Sequence, residues 1–431
     1  MGRKVILVAL TSATLLVPQT QPELEAARAG LSEFQRVCRE AGDRLWGVSL
    51  CGRVLLVDPG NRVTVANMPD PDQKFQESGG LYVGKLPADL LIANTSIQWG
   101  SHEWAMVLLP LPADEFLRLR LLVHESFHRV QPELGLRASD AASGHLEAES
   151  GRLWLRLELR ALAQALRLKD AAAHSAAKDA MLFRAARQQL NPGADIRESA
   201  LEIQEGLAEY TGTVIALEKS GETLARVARA VEDFEDRPAF SRSFAYATGP
   251  AIGLLLDRHA SGWRKKVRQK ANLGALLGEA LGFQASDADL VSRAQTAAEP
   301  YGFRAVAAKE RTRALETQAK LAAYRAQFVD GPVLEFPKTE ELRRSFNPSN
   351  LVPLGDHGTV YPTGTFASRW GKLQIDDVGG LLAPDNQSLR VIAPPDPSLR
   401  PLPGPGWRLE LAPGWIVRSG AKPGNFLVAQ E

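Results

Sequence analysis

The chain has 431 residues, of which 45% are hydrophobic and 23% are charged, and this is the composition of an ordinary globular protein. The length suggests two or three domains, and the composition argues against wholesale disorder and against a multi-span membrane protein. Lys and Arg number 51 against 50 Asp and Glu, so the chain lacks the basic field on which nucleic-acid binders depend. We therefore expect a function that resides in a local site and involves no nucleic acid.

The first 21 residues resemble a secretory signal peptide. Arg3 and Lys4 precede an uncharged apolar run at residues 5–17, and polar residues follow it. This run of 13 residues is shorter than the roughly 20 that a membrane-spanning helix needs. We expect an exported protein, periplasmic or extracellular, with no stable membrane span after processing. A buried first strand is the alternative interpretation.

The chain contains two cysteines, Cys38 and Cys51. An oxidising compartment would permit a disulfide bond between them. However, Cys38 lies in a helical pattern and Cys51 in a strand pattern. Two separate buried thiols are therefore at least as good an interpretation as a disulfide bond. Neither cysteine directly follows the apolar run, so a lipid-attached cysteine is not expected, and no Cys-x-x-Cys pair is present to form a thiolate zinc site.

Three regions follow the predicted signal peptide. Residues 22–111 begin with a helical pattern and continue with β-rich runs between turn formers, which predicts a mostly antiparallel sheet. Residues 112–330 are nearly all helical, without a heptad long enough for a coiled coil. Residues 331–431 are rich in Pro and Gly and return to short β-like runs, which predicts a separate β-rich domain. Its expected role is either to pack against the rest of the protein or to position a substrate. The predicted fold class is therefore α+β.

The motif His124-Glu125-Ser126-Phe127-His128 lies in a well-bounded helical segment, residues 112–131. Pro112 suits the first turn of this helix, and Pro132 ends it. Apolar residues recur at intervals of three and four, so the helix buries one face and is held rigidly; they are Phe116, Leu119, Val123, Phe127 and Val130.

Two histidines four residues apart place their imidazoles one helical turn from each other, close enough to share one zinc ion. Glu125 is rotated by about 100° from His124, so its carboxylate misses the metal and can act as a general base on a water there. We predict that His124 and His128 are zinc ligands and that Glu125 is the catalytic base. Two core histidines at this spacing by accident are the alternative.

Zinc held by two histidines needs a third protein ligand and keeps its fourth position for water. The residues after His128 do not form the His-x-x-Gly-x-x-His continuation of the metzincins. The remaining candidates are Glu205, in Glu205-Gly206-Leu207-Ala208-Glu209-Tyr210, and a rival group that lies nearer to the motif, namely His145, Glu147 and Glu149.

These two motifs resemble those of the gluzincin superfamily of zinc metallopeptidases, the thermolysin-like and aminopeptidase-like group. The resemblance implies that Glu205 is the third ligand and that Glu209, one turn later, orients a ligand histidine through its other ring nitrogen. It covers two short motifs, and the 77 residues from His128 to Glu205 exceed the connection in the familiar gluzincins. Two inserted helices, at residues 146–169 and 170–190, are expected to fill this length.

The resemblance also implies a donor for the negative charge that forms on the carbonyl oxygen during hydrolysis. Tyr246 is the first candidate and Tyr210 the second, although either is equally a core tyrosine. The predicted strand at residues 103–109 would line the cleft, and an extended peptide could add to its edge. Glu158, between Arg156 and Arg160, is predicted to be a structural ion-pair partner.

Together these residues predict zinc-dependent hydrolysis of peptide bonds in a peptide or protein substrate. One alternative is a non-peptidase zinc hydrolase on the same metal core. The other is a noncatalytic, metal-stabilised binding protein of the cell envelope. The presence of Glu125 argues against this last interpretation, because a purely structural zinc site has no use for a base beside its ligands.

Overall fold

The computed structural model describes residues 21–136, 142–285, 289–347 and 350–431. The predicted signal peptide lies outside the described residues, except for Gln21. The fold is α+β, as the sequence predicts, with a helical region that precedes a β-rich region. The chain divides into two compact units, the first ending at Glu310 and the second comprising Arg311–Glu431. This division falls 20 residues before residue 331, where the composition of the sequence changes.

The described part of the first unit contains a six-stranded sheet with the strand order β3-β4-β2-β1-β6-β5. β1 and β6 are parallel, and the other four pairs are antiparallel, so the prediction of a mostly antiparallel sheet is confirmed. The strands are β1 (Arg53–Val57), β2 (Val63–Ala66), β3 (Gln76–Ser78), β4 (Leu81–Lys85), β5 (Thr95–Trp99) and β6 (His102–Leu108).

Strand β6 is an interior strand of this sheet, because β1 and β5 pair with its two sides. The prediction that a peptide could add to the edge of this strand is therefore wrong. Its central residues, Trp104 to Val107, are buried, as expected for a strand covered on both faces. Strand β5 lies at the end of the sheet instead.

The helices of the first unit, including α1, form one continuous apolar core with one face of the sheet. Those that lie wholly within the unit are α1 (Gln21–Ala41), α2 (Glu115–Val130), α3 (Glu149–Arg167), α4 (Asp170–Leu190), α5 (Ala194–Leu201), α6 (Leu207–Ser220), α7 (Leu224–Phe234), α8 (Ala245–His259), α9 (Trp263–Lys270), α10 (Leu273–Ala280) and α11 (Leu290–Ala298). Helix α12 (Phe303–Arg325) contains the division between the units. One π-helical turn, Glu202–Gly206, joins α5 to α6.

Helix α2 begins later than the sequence predicts. Asp114 is its N-cap, with extended backbone angles and a side chain that accepts a hydrogen bond from the Leu117 amide at 2.9 Å. Pro112 therefore precedes the helix, and its prediction as a first-turn residue is wrong. The cap determines the start because an aspartate side chain satisfies an amide that the helix itself leaves without an acceptor.

Helices α3 and α4 occupy the predicted insertion between the two motifs, and buried ion pairs join them. Glu158 accepts hydrogen bonds from Arg184 at 2.8 Å and from Arg187. The prediction that Glu158 is a structural ion-pair partner is thus confirmed, but its partners are on α4. Arg156 and Arg160, its neighbours in sequence, bind Glu235 instead, because successive residues of a helix point in different directions.

Cys38 and Cys51 form a disulfide bond, which decides between the two open interpretations of these cysteines. Cys38 lies in α1, as its helical pattern indicates, whereas Cys51 precedes β1 and is not part of a strand. The bond attaches α1 to the segment that enters the sheet.

The described part of the second unit has two sheets, with the strand orders β17-β18-β7-β14-β13-β10-β9 and β15-β16-β12-β11-β8. Aromatic and aliphatic residues such as Phe366, Trp370 and Leu409 form its core. The strands are β7 (Val333–Glu335), β8 (Arg343–Ser345), β9 (Val352–Pro353), β10 (Thr359–Tyr361), β11 (Gly364–Ser368), β12 (Gly371–Ile375), β13 (Gly380–Leu382), β14 (Leu389–Ile392), β15 (Leu402–Gly404), β16 (Trp407–Leu411), β17 (Trp415–Ser419) and β18 (Phe426–Gln430).

Among the described residues, no helix combines the length and the apolar character that crossing a membrane requires.

Candidate metal centre

Helix α2 holds the His-Glu-Ser-Phe-His motif between the sheet and helix α6. The apolar side of the helix, including Leu119, Val123 and Phe127, is fully buried in the core. His124 and Glu125 are each only 4% exposed, although both line a cavity at the surface of the unit. The packed apolar side thus holds the polar residues of the motif in a fixed orientation toward this cavity.

Three potential ligand atoms converge at the cavity. The Nε2 atoms of His124 and His128 are 3.1 Å apart, and each lies 3.5 Å from Oε2 of Glu205. Three ligand atoms at about 2.0–2.1 Å from a tetrahedral zinc ion are roughly 3.3 Å from one another. The triangle therefore has the dimensions of one face of a tetrahedral zinc site, and two imidazoles with one carboxylate form a donor set that zinc accepts.

Glu209 orients His124 through the ring nitrogen that faces away from this triangle. Its Oε2 atom lies 2.8 Å from Nδ1 of His124, and its Oε1 atom forms an ion pair with Arg120 at 3.0 Å. The carboxylate can only accept, so Nδ1 of His124 carries a hydrogen, and in the neutral ring Nε2 presents a lone pair.

Gln131 contacts Nδ1 of His128 in the same way as Glu209 contacts Nδ1 of His124. Its Nε2 donates to the backbone carbonyl oxygens of Ile203 and Gln204, at 2.7 and 3.1 Å, so its Oε1 is the atom that faces His128. This oxygen lies 2.9 Å from Nδ1 of His128. Because an amide oxygen only accepts, Nδ1 of His128 also carries a hydrogen. In their neutral forms both histidines therefore present lone pairs next to a carboxylate oxygen, and this arrangement attracts a cation, either a proton or a metal ion.

The pKa values at this cluster reflect the same attraction for positive charge. Burial alone would lower the pKa of His124, but its hydrogen bonds to Glu205 and Glu209 raise it to about 10. Burial alone would raise the pKa of Glu205, yet the hydrogen bonds from His124 and His128 hold it well below its usual range. The pKa of Glu209 is lowered for a similar reason, since His124 and Arg120 outweigh its burial.

Glu125 lies beside the triangle with a carboxylate that is not part of it. Its Oε2 is buried and has no hydrogen-bond partner among the described residues. Burial raises the pKa of this carboxyl group, against the opposing effect of the two histidines. A carboxylate with a raised pKa at the wall of a cavity is suited to accept a proton and pass it on.

The two candidate tyrosines occupy different environments. Tyr246, in the first turn of α8, is 39% exposed, stacks on the ring of His124 and donates a 2.7 Å hydrogen bond to Glu205. Burial of the hydroxyl and the negative charge of Glu205 raise the pKa of Tyr246, so its hydroxyl remains a donor. Tyr210 is fully buried and donates to Asp257, which makes it a core tyrosine.

The rival third ligands lie elsewhere. His145 is 2.7 Å from Glu198 in the buried ion-pair network, and Glu147 accepts hydrogen bonds from the backbone amides of Phe240 and Ser241. Glu149 is exposed at the start of α3. In the described part of the chain, the group formed by His124, His128 and Glu205 is the one set of three side chains with the geometry to share a metal ion.

Helix α8 lies close to the π-helical turn that carries Glu205. A Cβ atom on Gly249 of α8 would lie 2.3 Å from the Cα atom of Gly206, so this contact requires glycine at position 249, and a Cβ atom on Gly206 would be 3.1 Å from the Cα atom of Gly249. The π-helical turn Glu202–Gly206 lies at the same place, and such turns occur frequently at functional sites.

The cavity has a volume of about 410 Å³ and is bounded on one side by the edge strand β5. Thr95 and Ser96 of this strand line it, together with the residues of the metal centre. A second cavity of about 520 Å³ adjoins it and shares Arg120, Glu209 and Tyr246 as lining residues. The floor of the second cavity is mainly apolar and is formed by residues of α2, α7 and α8, among them Phe116, Val231, Phe234 and Pro250.

Sequence reasoning missed Gln131, Arg120 and β5. Arg120 is one turn before His124 on the same helix, a position from which it can reach a residue that contacts His124. Gln131 offered no such signal, because its role depends on residues more than 70 positions away. β5 was missed because Thr95-Ser96-Ile97-Gln98-Trp99 is short and mostly polar.

Comparison of the chain with protein-family models, with curated proteins and with solved structures finds no match. The geometry of its own residues is therefore the basis for assigning a function.

Proposed function

We propose that this protein is a zinc-dependent peptidase in which His124, His128 and Glu205 hold one zinc ion and Glu125 is the general base. The observation that carries the proposal is the convergence of two imidazole lone pairs and a carboxylate oxygen beside the buried, unpartnered oxygen of Glu125. A metal held only for stability would not need this adjacent carboxylate.

Zinc supplies Lewis-acid chemistry when bound, because it polarises a carbonyl group and makes a water molecule more acidic. Glu125 takes the proton from the attacking water and delivers it to the leaving amine. Tyr246 donates its hydroxyl hydrogen to the carbonyl oxygen as negative charge develops there. Glu209 and Arg120 keep His124 in the tautomer that presents Nε2 to the metal.

Strand β5 supports a peptide as the substrate. Within the described residues it has a neighbouring strand on one side only, and Thr95 and Ser96 reach the cavity. An extended peptide can add to such an edge through backbone hydrogen bonds, which bind many sequences equally well. The second, mainly apolar cavity is suited to an apolar side chain of the same peptide.

The disulfide bond supports an exported protein. Disulfide bonds persist in oxidising compartments and are rare in the cytosol. Together with the charge and apolar pattern of residues 1–21, the Cys38–Cys51 bond favours a periplasmic or extracellular location. Processing by a signal peptidase would be checked by determining the amino terminus of the secreted protein.

The experiment that tests the proposal compares the wild-type protein with the Glu125→Gln variant. The glutamine keeps the size of the side chain but cannot accept a proton, so we expect turnover of unstructured peptides to be abolished. Zinc content, measured by elemental analysis, should stay near one ion per chain in both proteins. Unchanged turnover in Glu125→Gln would refute the role of this residue as a base.

The choice of substrate separates the alternatives. Hydrolysis of unstructured peptides supports a peptidase, whereas cleavage of simple esters or amides with intact peptides would assign another zinc hydrolase chemistry. Zinc binding without hydrolysis of any of these substrates would favour a noncatalytic binding protein. The Glu205→Ala variant tests the third ligand, and full zinc retention with unaltered activity would exclude Glu205.

A further inference from the structure

Gln131 connects two parts of the metal centre that lie far apart in the sequence. It is the C-cap of helix α2, directly after Val130, with its backbone amide bonded to the carbonyl oxygen of Phe127, and it is 1% exposed. The side chain extends to the π-helical turn that carries Glu205, where it meets carbonyl groups 72 and 73 residues away.

The oxygen and the nitrogen of the Gln131 side-chain amide form hydrogen bonds with different parts of the site. The oxygen accepts from Nδ1 of His128 at 2.9 Å. The nitrogen donates to the backbone carbonyl oxygens of Ile203 at 2.7 Å and Gln204 at 3.1 Å, next to Glu205, and to that of Leu136 at 3.2 Å. One end therefore orients the ring of the second ligand, and the other fixes the backbone immediately before the third.

We infer that Gln131 is a positioning residue that sets the distance between His128 and Glu205 and thereby the affinity of the site for its metal. The inference rests on the proposed function, since it assumes that these side chains are ligands. It also assigns Gln131 a task that Glu209 cannot perform. Glu209 orients His124 from α6, which follows the turn that carries Glu205, whereas Gln131 joins the end of the motif helix to that turn itself.

Few side chains can replace a glutamine here. Glutamate would retain an acceptor for His128 but would bring a carboxylate against two carbonyl oxygens. Asparagine has the same amide on a side chain that is one methylene shorter, so it cannot reach both partners at once. Methionine has nearly the same shape as glutamine and can form neither strong hydrogen bond, which makes it the most informative replacement.

The test measures zinc affinity and cobalt spectra of the full-length wild-type protein and of the Gln131→Met and Gln131→Asn variants. Zinc dissociation constants come from competition with a chromophoric chelator. The visible absorption bands of bound Co²⁺ report the coordination geometry and do not depend on enzymatic activity. Gln188→Met is the matched control, because it removes another partly buried amide, bonded to Glu198, outside the centre.

We expect Gln131→Met to bind zinc roughly 10- to 100-fold more weakly than the wild type, as is typical when a group that orients a metal ligand is lost. Its cobalt bands should shift or weaken, with Gln131→Asn intermediate and Gln188→Met like the wild type. If Gln131→Met fails to fold, as judged by circular dichroism, Gln131→Asn decides the question in the same assays.

A folded Gln131 variant with wild-type zinc affinity and wild-type cobalt bands would overturn the inference while leaving the proposed function intact. A wild-type protein that binds neither Zn²⁺ nor Co²⁺ would overturn both. Loss of affinity to the same extent in Gln188→Met would also overturn the inference, because the effect would then be a general loss of stability.

Discussion

Tyr246 is the residue whose role depends most on a single functional group. Its hydroxyl donates a hydrogen bond to Glu205 at the cavity, and its ring stacks on His124. Removal of the hydroxyl leaves the ring contact in place and takes away only the donor.

We expect Tyr246→Phe to lower kcat roughly 100- to 1000-fold, because it removes one donor to the oxygen on which negative charge develops. Zinc content should be unchanged, since the hydroxyl is not a ligand. Tyr210→Phe is the matched control: it removes a buried hydroxyl bonded to Asp257 and should lower stability while leaving kcat near the wild-type value. A Tyr246→Phe variant with wild-type kcat would show that the hydroxyl does not contact the reacting oxygen.

At this scale, the sequence predicted the residues that a helix brings together by itself. His124, Glu125 and His128 follow from their spacing, because positions one turn apart share a side of the helix. The choice of Glu205 over His145 depended on a resemblance, and only the three-dimensional structure shows that Glu205 approaches the two imidazoles. The role of Gln131 could not be predicted from the sequence, since its partners are carbonyl groups of a turn that is distant along the chain.

The elements around the candidate metal centre are joined by a buried network of charged residues. Arg184 and Arg187 of α4 bind Glu158 of α3, Glu198 of α5 and Glu202 of the π-helical turn, and all five side chains are at most 5% exposed. Thr248 of α8 also donates to Glu202, at 2.6 Å. The network thus fixes the inserted helices to the turn that carries Glu205.

Removing one charge from this network should destabilise the protein and change its response to acid. We expect Glu198→Gln to lower the free energy of unfolding at pH 7 by about 3–5 kcal/mol, since it leaves Arg187 partly uncompensated. Burial alone would raise the pKa of Glu198, but Arg187 and the hydrogen bond from His145 hold it well below its usual value of 4.5. The carboxylate therefore stabilises the fold above pH 4.5, and this contribution is lost as the pH falls below that value.

Urea unfolding of both proteins between pH 7 and pH 3 would measure this effect. The difference between wild type and Glu198→Gln should be constant above about pH 5 and shrink below it. Glu40→Gln, which removes an exposed partner of Lys219, is the control and should show little change. A difference between wild type and Glu198→Gln that stays the same down to pH 3 would contradict the prediction.

Long periodic elements were predicted better than short ones. The second inserted helix, residues 170–190, agrees with α4, and the first was predicted at residues 146–169 and observed at Glu149–Arg167. Strands β3 and β5 were missed, because three to five mostly polar residues carry little periodic signal. The interior position of β6 could not be predicted either, since strand order depends on contacts that a local pattern does not contain.

At the scale of the whole molecule, the disulfide bond restricts the unfolded chain. Cys38 and Cys51 are separated by 13 residues, and closing a loop of this size stabilises a protein by about 3 kcal/mol. We expect the double variant Cys38→Ser, Cys51→Ser to lose about this much free energy of unfolding in urea titrations. Reduction of the wild-type protein is the internal control and should lower the unfolding midpoint in the same direction.

Titration of thiols in the denatured, unreduced protein gives an independent check. We expect no free thiol before reduction and two afterwards, in accordance with the Cys38–Cys51 bond. Two reactive thiols in protein purified from an oxidising compartment would contradict the disulfide.

The sequence predicted the α+β class of the whole chain correctly, because composition changes sharply near residues 112 and 331. It did not indicate that the first compact unit ends at Glu310, inside the continuous helix α12. A helix that continues through a domain boundary has no break in its periodicity, so the local pattern contains no sign of the division.

The distance along the chain between His128 and Glu205 also affects when the ion can bind. An unfolded or partly synthesised chain offers only the neighbouring pair of imidazoles, because Glu205 follows α3, α4 and α5 in the sequence and approaches these rings only in the folded chain. For the zinc site proposed above, we therefore expect tight capture of the ion to be a late event in maturation. If the unfolded chain binds the ion only weakly through this pair, nearly all of the binding free energy stabilises the native state.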